Sequence, residues 1–290
     1  RSSDLEMNAA SMVNSGFEFS LTYRNNDHPL KHQISANLST LNNKVTSLGF
    51  GTDSYITGSY ITKVGEEVGQ FYGWVYEGIA RTQADIDNHA VQQGANVGDC
   101  LYKDINGDGQ ITGEDQTVLG SGLPKINFGI SAHLEYKNFD MSISTFGALN
   151  YHVSDDIYNS LNSCYGWSNK EVGMLDANQW DGSTYISNVP RTYVVSNATL
   201  GWNDLFSERK IQNAAYWKIA NIELGYNIPD KVFKGVVSGA RVYVSAQNLY
   251  TFTKYHGYNV DYAGGTFTPG YNFCSFPTPR TFMAGLLFSF

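Results

Sequence analysis

Residues 104–115 read Asp-Ile-Asn-Gly-Asp-Gly-Gln-Ile-Thr-Gly-Glu-Asp, a spacing suited to a hard divalent cation. Laid on the twelve-residue calcium loop, Asp104, Asn106 and Asp108 take positions one, three and five, and Gly109 takes six, where the chain turns sharply. Gln110 offers its carbonyl at seven, and Asp115 closes the loop at twelve. Such a cation wants six or more oxygens, and alternate side chains of a tight loop supply several with little rearrangement. The expected ion is calcium, in a structural role, with Ile111 plugging the loop onto neighbouring core. One departure is visible: Asp115 stands where an EF-hand places a longer, bidentate Glu, so the geometry is expected to be dockerin-like. No helical pattern precedes Asp104, which makes this a loop grafted onto an irregular connection. A metal-free turn is the rival reading, because Asn-Gly and Asp-Gly form turns unaided.

Other reactive side chains do not assemble into a catalytic set. The six histidines are scattered, and no nucleophile motif accompanies them. The pairs Asp155-Asp156 and Glu66-Glu67 read as solvated loop charges, so no enzyme is expected. Cys100, Cys164 and Cys274 are too few and too scattered for a disulfide framework or a thiolate metal site. Aromatic residues beside Asn and Asp are better candidates for contact with a ligand. Trp167, Trp180, Trp202, Tyr258 and Tyr262 are the candidates, with Tyr165 and Tyr271 of the same kind. Flat rings suit sugar faces and amphipathic rings suit wet interfaces, although the same rings serve ordinary packing equally well. The run Phe71-Tyr72-Gly73-Trp74 reads as a folded part of its loop rather than a binding platform.

What must position these residues is a set of strands. Period-two alternation runs through 16–24, 32–42, 128–136, 139–149, 216–226, 240–249 and 281–290. In the first, Phe17, Phe19, Leu21 and Tyr23 oppose Glu18, Ser20, Thr22 and Arg24; in the last, Phe282, Ala284, Leu286, Phe288 and Phe290 share a face. Soluble strands usually run about 5–6 residues, whereas a tilted strand crossing a bilayer needs about 9–11, the length seen here. Charged residues are 16% of the 290, against roughly 25% in an ordinary domain, and aromatics reach 14%. That profile excludes disorder and argues against a helical bundle. No apolar run is long enough for a transmembrane helix. The net charge of −8 makes nucleic acid an unsuitable partner.

The connections carry the sharper signal. Segments 25–31, 137–138 and 227–239 are short, while 43–127, 150–215 and 250–280 are long, and the two kinds alternate. In an antiparallel meander alternate connections lie at the same end, so all long loops share one end. Outer-membrane β-barrels sort their loops this way, with short periplasmic turns and long extracellular loops. The expected fold is therefore all-β, part of a transmembrane antiparallel barrel, with the calcium-type loop inside the extracellular connection 43–127. Tyr23, Tyr136 and Tyr226 are expected in an interfacial aromatic girdle. A soluble calcium-binding β-sandwich, serving adhesion or carbohydrate binding, explains the alternation but not the strand length or loop sorting. Seven strands are too few to close a wide barrel, and no signal peptide is visible after Arg1, so a C-terminal portion of a larger protein is expected.

Ordered motifs then carry a family resemblance over essentially all of 1–290. They are Asn14-Ser-Gly-Phe-Glu18, Gly69-Gln-Phe-Tyr-Gly-Trp-Val-Tyr-Glu-Gly78, Asp104–Asp115, and Gly120 with Pro124 before Tyr136-Lys-Asn-Phe-Asp140. Further on come Tyr216-Trp-Lys-Ile-Ala-Asn-Ile-Glu-Leu-Gly-Tyr226, Arg241-Val-Tyr-Val-Ser-Ala-Gln-Asn-Leu249 and Pro277-Thr-Pro-Arg-Thr281. Together they resemble the C-terminal barrel of SusC/RagA-like TonB-dependent outer-membrane transporters of Bacteroidota. The resemblance implies a 22-stranded barrel with a plug domain, which this chain lacks, and a SusD-like surface lipoprotein as lid, in a dimer of SusC–SusD pairs. It also implies import of oligosaccharides or oligopeptides across the outer membrane, driven by TonB through the plug. Arg280 fits a family position to which no mechanism is assigned. The terminal Phe290 resembles the signal read by barrel-assembly machinery.

Overall fold

The computed structural model describes residues 10–164, 169–192, 201–232, 239–261 and 264–289. Seven long strands form one antiparallel sheet in sequence order: β1 (Glu18–Asn25), β2 (Leu30–Thr40), β3 (Ile126–Tyr136), β4 (Phe139–Leu149), β5 (Tyr216–Ile228), β6 (Gly239–Thr253) and β7 (Thr281–Ser289). Each expected strand is present, with ends shifted by a few residues. The largest shift is at the end of β6, which runs to Thr253 rather than 249, while the first wall strand begins at Glu18 rather than 16. Residues Ser11–Ser15 pair with Asn42–Ser47 as a separate ribbon. The break falls at Gly16, where a Cβ would meet the Thr40 carbonyl oxygen at 1.9 Å.

Register fixes the two faces of this wall. Leu30, Tyr136, Phe139, Tyr226, Val242 and Leu286 form a row at the short-turn end, and Tyr23, Ile34, Ala132, Ile143, Ile222, Ala246 and Phe282 form a row midway. Phe19, Leu38, Phe128, Gly147, Trp217 and Phe252 continue the same face toward the long loops. Tyr136 and Tyr226 thus stand in the turn-end row, the latter 4.8 Å from the Phe139 ring. Tyr23 lies further in, because β1 ends short of its neighbours. No second sheet covers this face among the described residues: Phe282 is 71% exposed, Leu286 63% and Phe19 60%. A sandwich would bury them.

The opposite face is polar and laced together. Arg241 forks onto Asp140, with Nε donating to Oδ2 at 3.0 Å, and Nη2 donates to Glu223 at 2.7 Å. Arg24 Nε donates to Gln33 at 2.8 Å, Thr22 and Ser35 share a hydrogen bond of 2.9 Å, and Lys31 pairs with Glu135 at 3.8 Å. Alternation along each strand separates these groups from the apolar rows, since successive side chains point to opposite faces.

The buried apolar side chains sit almost entirely outside the wall. Among the described residues, only Ala148 and Ala240 of the buried hydrophobic ones belong to wall strands, and the rest lie in the connections and at their edges. Connection 41–125 folds into a four-stranded sheet of Ser54–Thr57, Tyr60–Lys63, Gln70–Trp74 and Gln116–Gly120 and a ribbon of Tyr76–Ile79 with Cys100–Tyr102. Its ends meet where Leu41 N donates to the Lys125 carbonyl at 2.9 Å, so β2 and β3 pair despite the excursion. Connection 150–215 locks onto it: Arg191 forks onto Asp99 at 2.6 and 2.9 Å, Cys100 N donates to Asn203 at 2.6 Å, and Tyr76 N donates to Glu208 at 2.8 Å. Because the sheet is an uninterrupted meander, these long connections share one end of the wall with 254–280.

Candidate functional site

Where the three long connections meet they enclose a cleft of about 570 Å³. Its aromatic side comes from the strand Gln70–Trp74, whose alternation puts Tyr72 and Trp74 on one face. Trp74 is fixed twice, by its backbone N–H to the Phe206 carbonyl at 3.0 Å and by its indole N–H to the Thr112 carbonyl at 2.9 Å. Gly73 between them permits this approach, for a Cβ there would lie 2.1 Å from the Phe206 oxygen. The polar side comes from 150–215. Asp156 opens the helix Asp156–Leu161, capped by Asp155, which accepts from Tyr158 N at 3.0 Å. Asn159 donates to Ser154 Oγ and to the Lys210 carbonyl, both at 3.1 Å, and the Lys210 ammonium lies 3.5 Å from Asp204. Thr268 and Tyr271 close the cleft from 254–280. Rings beside amide, carboxylate and ammonium groups can stack on a flat face and hydrogen-bond hydroxyl or peptide groups together.

A buried clasp sets the width of this cleft. Ser154 and Asp155 pair in parallel with Tyr271 and Asn272. Behind them the Tyr255 hydroxyl donates to Asp155, and Asn272 Nδ2 donates to the Tyr255 oxygen at 2.7 Å and to Asp155 at 3.3 Å. Burial, reinforced by the Asp155 carboxylate, drives the Tyr255 phenol far above its ordinary range, which keeps it a donor.

The loop 104–115 lies between the strands Cys100–Tyr102 and Gln116–Gly120 and ends in a short 3₁₀ turn, Gly113–Asp115. Gly109 takes φ +82°, the left-handed conformation its place in the turn requires. Asp104 accepts from Gly107 N at 2.7 Å and Gly109 N at 2.8 Å, while Asp108 accepts from Gln110 N at 2.8 Å and Asn106 from Asp108 N at 2.9 Å. Asp115 is fully buried and accepts from Ile105 N at 2.9 Å, Asn106 N at 3.4 Å and Thr112 N at 2.7 Å. Burial pushes its carboxyl up, yet the backbone N–H donors of Thr112, Ile105 and Asn106 lead the effects that outweigh it, and the net shift is downward. Ile111 is buried against Cys100 and Tyr102, with Trp74 and Trp202 packed around them, as its place in the sequence suggests. The residue types of the loop, carboxylates and an amide, are those a hard cation takes. Among the described residues no three His, Cys, Asp or Glu side chains gather as a ready metal cluster.

The aromatic candidates separate. Trp167 and Tyr262, with Tyr165, lie outside the described residues. Trp202 takes a packing role: its indole N–H donates to the Gln93 carbonyl at 3.0 Å, and its own carbonyl accepts from the Tyr102 hydroxyl at 2.5 Å. Trp180 is half-exposed, edge-on to Tyr185 at 5.1 Å, and Tyr258 is 67% exposed. None of these three lines the cleft, whereas Tyr271 does, with Tyr72, Trp74 and Phe206. The signal that could have found them is the glycine inside the aromatic run at 71–74. Of the cysteines, Cys100 and Cys164 are buried and free, with thiols pushed up by burial to about 11 and about 12, and Cys274 is exposed.

No family model matches the chain. Two TonB-dependent receptors of Formosa agariphila are 29% and 31% identical to it over 302 and 301 residues, in each case 98% of this chain. The TonB-dependent receptor SusC of Bacteroides thetaiotaomicron is 25% identical over 299 residues, 99% of this chain. The chain is homologous to SusC/RagA-type TonB-dependent receptors. It spans only 29%, 30% and 27% of those three relatives, so it corresponds to a part of them. Its fold matches that of the RagAB peptide transporter, with a TM-score of 0.78 at 23% identity over 98% of this chain and 30% of that one. The RagAB peptide importer in its closed-closed state gives 0.77 at 24% identity, again over 98% and 30%. The seven-stranded sheet is thus consistent with one sector of a receptor-type barrel.

Proposed function

We propose that the chain is the C-terminal barrel sector of an outer-membrane importer for oligosaccharides or oligopeptides. The observation that carries this reading is the wall itself: a largely apolar face that no second sheet covers among the described residues, backed by a hydrogen-bonded polar face. Strands of 11 residues at about 3.4 Å each, tilted by about 45°, span about 25 Å in height, the apolar band of an outer-membrane barrel. Lipid then meets the apolar rows and water the polar ones. The long connections, 43–127 among them, stand outside the cell and hold the cleft toward incoming cargo. A SusD-like lipoprotein closes over them, and two such pairs associate. A plug carried elsewhere in the full-length protein opens the path when TonB pulls on it.

In this reading Tyr72 and Trp74 offer ring faces to the cargo, and Asp156, Asn159 and Lys210 hydrogen-bond its polar groups. The loop 104–115 binds calcium through Asp104, Asn106, Asp108, Gln110 and Asp115 and stiffens the connection behind Trp74, whose indole is tied to Thr112. RagAB is a peptide transporter, and the cleft of this chain, with rings beside amide and charged groups, suits glycan and peptide alike. The test is uptake. Cells lacking the full-length gene should stop accumulating one labelled oligomer class and recover on complementation, and the protein should fractionate with the outer membrane and need detergent for extraction. Recovery of the protein in the soluble fraction without detergent would overturn the assignment in favour of a sandwich.

A further inference from the structure

A second cavity, of about 250 Å³, opens on the polar face where β5 and β6 run into connection 254–280. Its lining holds two cations, Lys218 and Arg280, and no carboxylate; the remainder is threonine, asparagine, tyrosine, glycine and valine. That is unusual in a chain with 27 acidic and 19 basic residues. The Lys218 side chain is almost fully buried, its ammonium 2.5 Å from Asp261 and 5.7 Å from the centre of the Phe146 ring. One carboxylate does not exhaust three ammonium hydrogens. Arg280 differs: among the described residues it makes neither an ion pair nor a hydrogen bond.

The backbone before Arg280 is held in place, while the side chain itself is exposed. Pro277 and Pro279 restrict the backbone before it, and Asn248, itself in the left-handed region at φ +52°, donates from Nδ2 to the Pro279 carbonyl at 3.1 Å. Asn248 belongs to the stretch of β6 where the pairing with β5 slips between Ile219 and Asn221. The bulge thus shapes β6 where it grips the backbone before an exposed guanidinium, which lines the cavity together with the Lys218 ammonium of the Lys218–Asp261 pair. A planar fork of donors with no partner, ringed by hydroxyl and amide groups, suits an oxyanion.

We infer that this cavity receives an anionic oxygen group, a carboxylate or sulfate, with Arg280 as its anchoring cation. The carrier of that group is taken to be the cargo, which rests on the importer reading; the pocket does not. The test uses the full-length protein in detergent. Radiolabelled sulfate in equilibrium dialysis is the first probe: the wild type retains it, Arg280→Gln weakens retention by about tenfold or more, and Arg280→Lys, which keeps the charge without the fork, restores only part of it. Two matched pairs then separate the sources, a tetrapeptide against its C-terminal amide and an oligogalacturonate against its methyl ester. The charged member of one pair should bind about tenfold tighter than its neutral partner, and Arg280→Gln should erase that difference. Equal sulfate retention by wild type and Arg280→Gln, or none by either, overturns the site. Uptake that continues while sulfate is not held refutes the pocket and leaves the importer standing; sulfate held by a protein that imports nothing does the reverse.

Discussion

Placing an arginine at different heights on the apolar face of the wall should cost different amounts. The face comprises five rows two residues apart along each strand. At about 3.4 Å per residue and 45° of tilt the rows are about 5 Å apart in height, so the middle row, with Ile34, lies about 10 Å from the turn-end row, with Tyr136. If hydrocarbon covers this face, Ile34→Arg should destabilise by about 2–4 kcal/mol and Tyr136→Arg by about 0–1. If water covers it, both should stay within about 0.5 kcal/mol, because both side chains are 43–47% exposed and break no buried contact. Equilibrium guanidinium unfolding of the full-length protein in lipid vesicles, followed by tryptophan emission, reads the two costs under one condition. Equal small costs at both positions would refute lipid contact, and so would a larger cost at Tyr136 than at Ile34.

Three further outcomes follow from the loop lobe. Tyr255→Phe removes the donor to buried Asp155 and the acceptor of Asn272, and should cost about 1–3 kcal/mol; limited proteolysis should then cut 150–215 faster while the wall survives. The Asp115 carboxyl is held below its ordinary value, so its contribution is full above the unfolded pKa, near about 3.9, and fades as pH falls from there through the folded value. The difference in urea midpoint between wild type and Asp115→Asn should accordingly shrink only below about pH 4, and a difference already absent at neutral pH would contradict the assigned donors. Asp108→Ala should release calcium and loosen 95–125; wild-type protease resistance in that variant, or indifference of the wild type to a chelator, would remove the ion from its role.

The wall was legible because its two faces meet different surroundings, and alternation such as Phe19, Leu21 and Tyr23 against Ser20, Thr22 and Arg24 records that difference directly. Its length was legible for the same reason. The strand Ser11–Ser15 was not legible, since its pairing with Asn42–Ser47 and the break at Gly16, where Thr40 comes close, are tertiary facts. Inside the connections, strands of three to five residues such as Gln70–Trp74 and Cys100–Tyr102 are too short for a period to declare itself. Ile111 and Gly109 could be placed because the spacing of a metal-type turn fixes each position. The cleft could not, because it is assembled from three segments far apart in sequence. Trp202 and Trp74 carry the same ring and indole donor, and only their neighbours decide that one packs inward and the other also borders open space.

The neck of connection 41–125 has one more implication. Its two ends are held side by side by the bond from Leu41 to Lys125 and by the pairing of Thr40 with Ile126, and an ion pair between Lys125 and Glu67 reinforces the base. A lobe whose chain enters and leaves through a single doorway can be exchanged without disturbing the register of the strands beneath it, as long as its replacement meets the side chains that 150–215 presents to it. Excising 42–124 and joining the stubs with a tight hairpin should leave β2 beside β3, and a lobe of different specificity could be grafted at the same two residues. Selection could work on such a module while the sheet below kept its sequence.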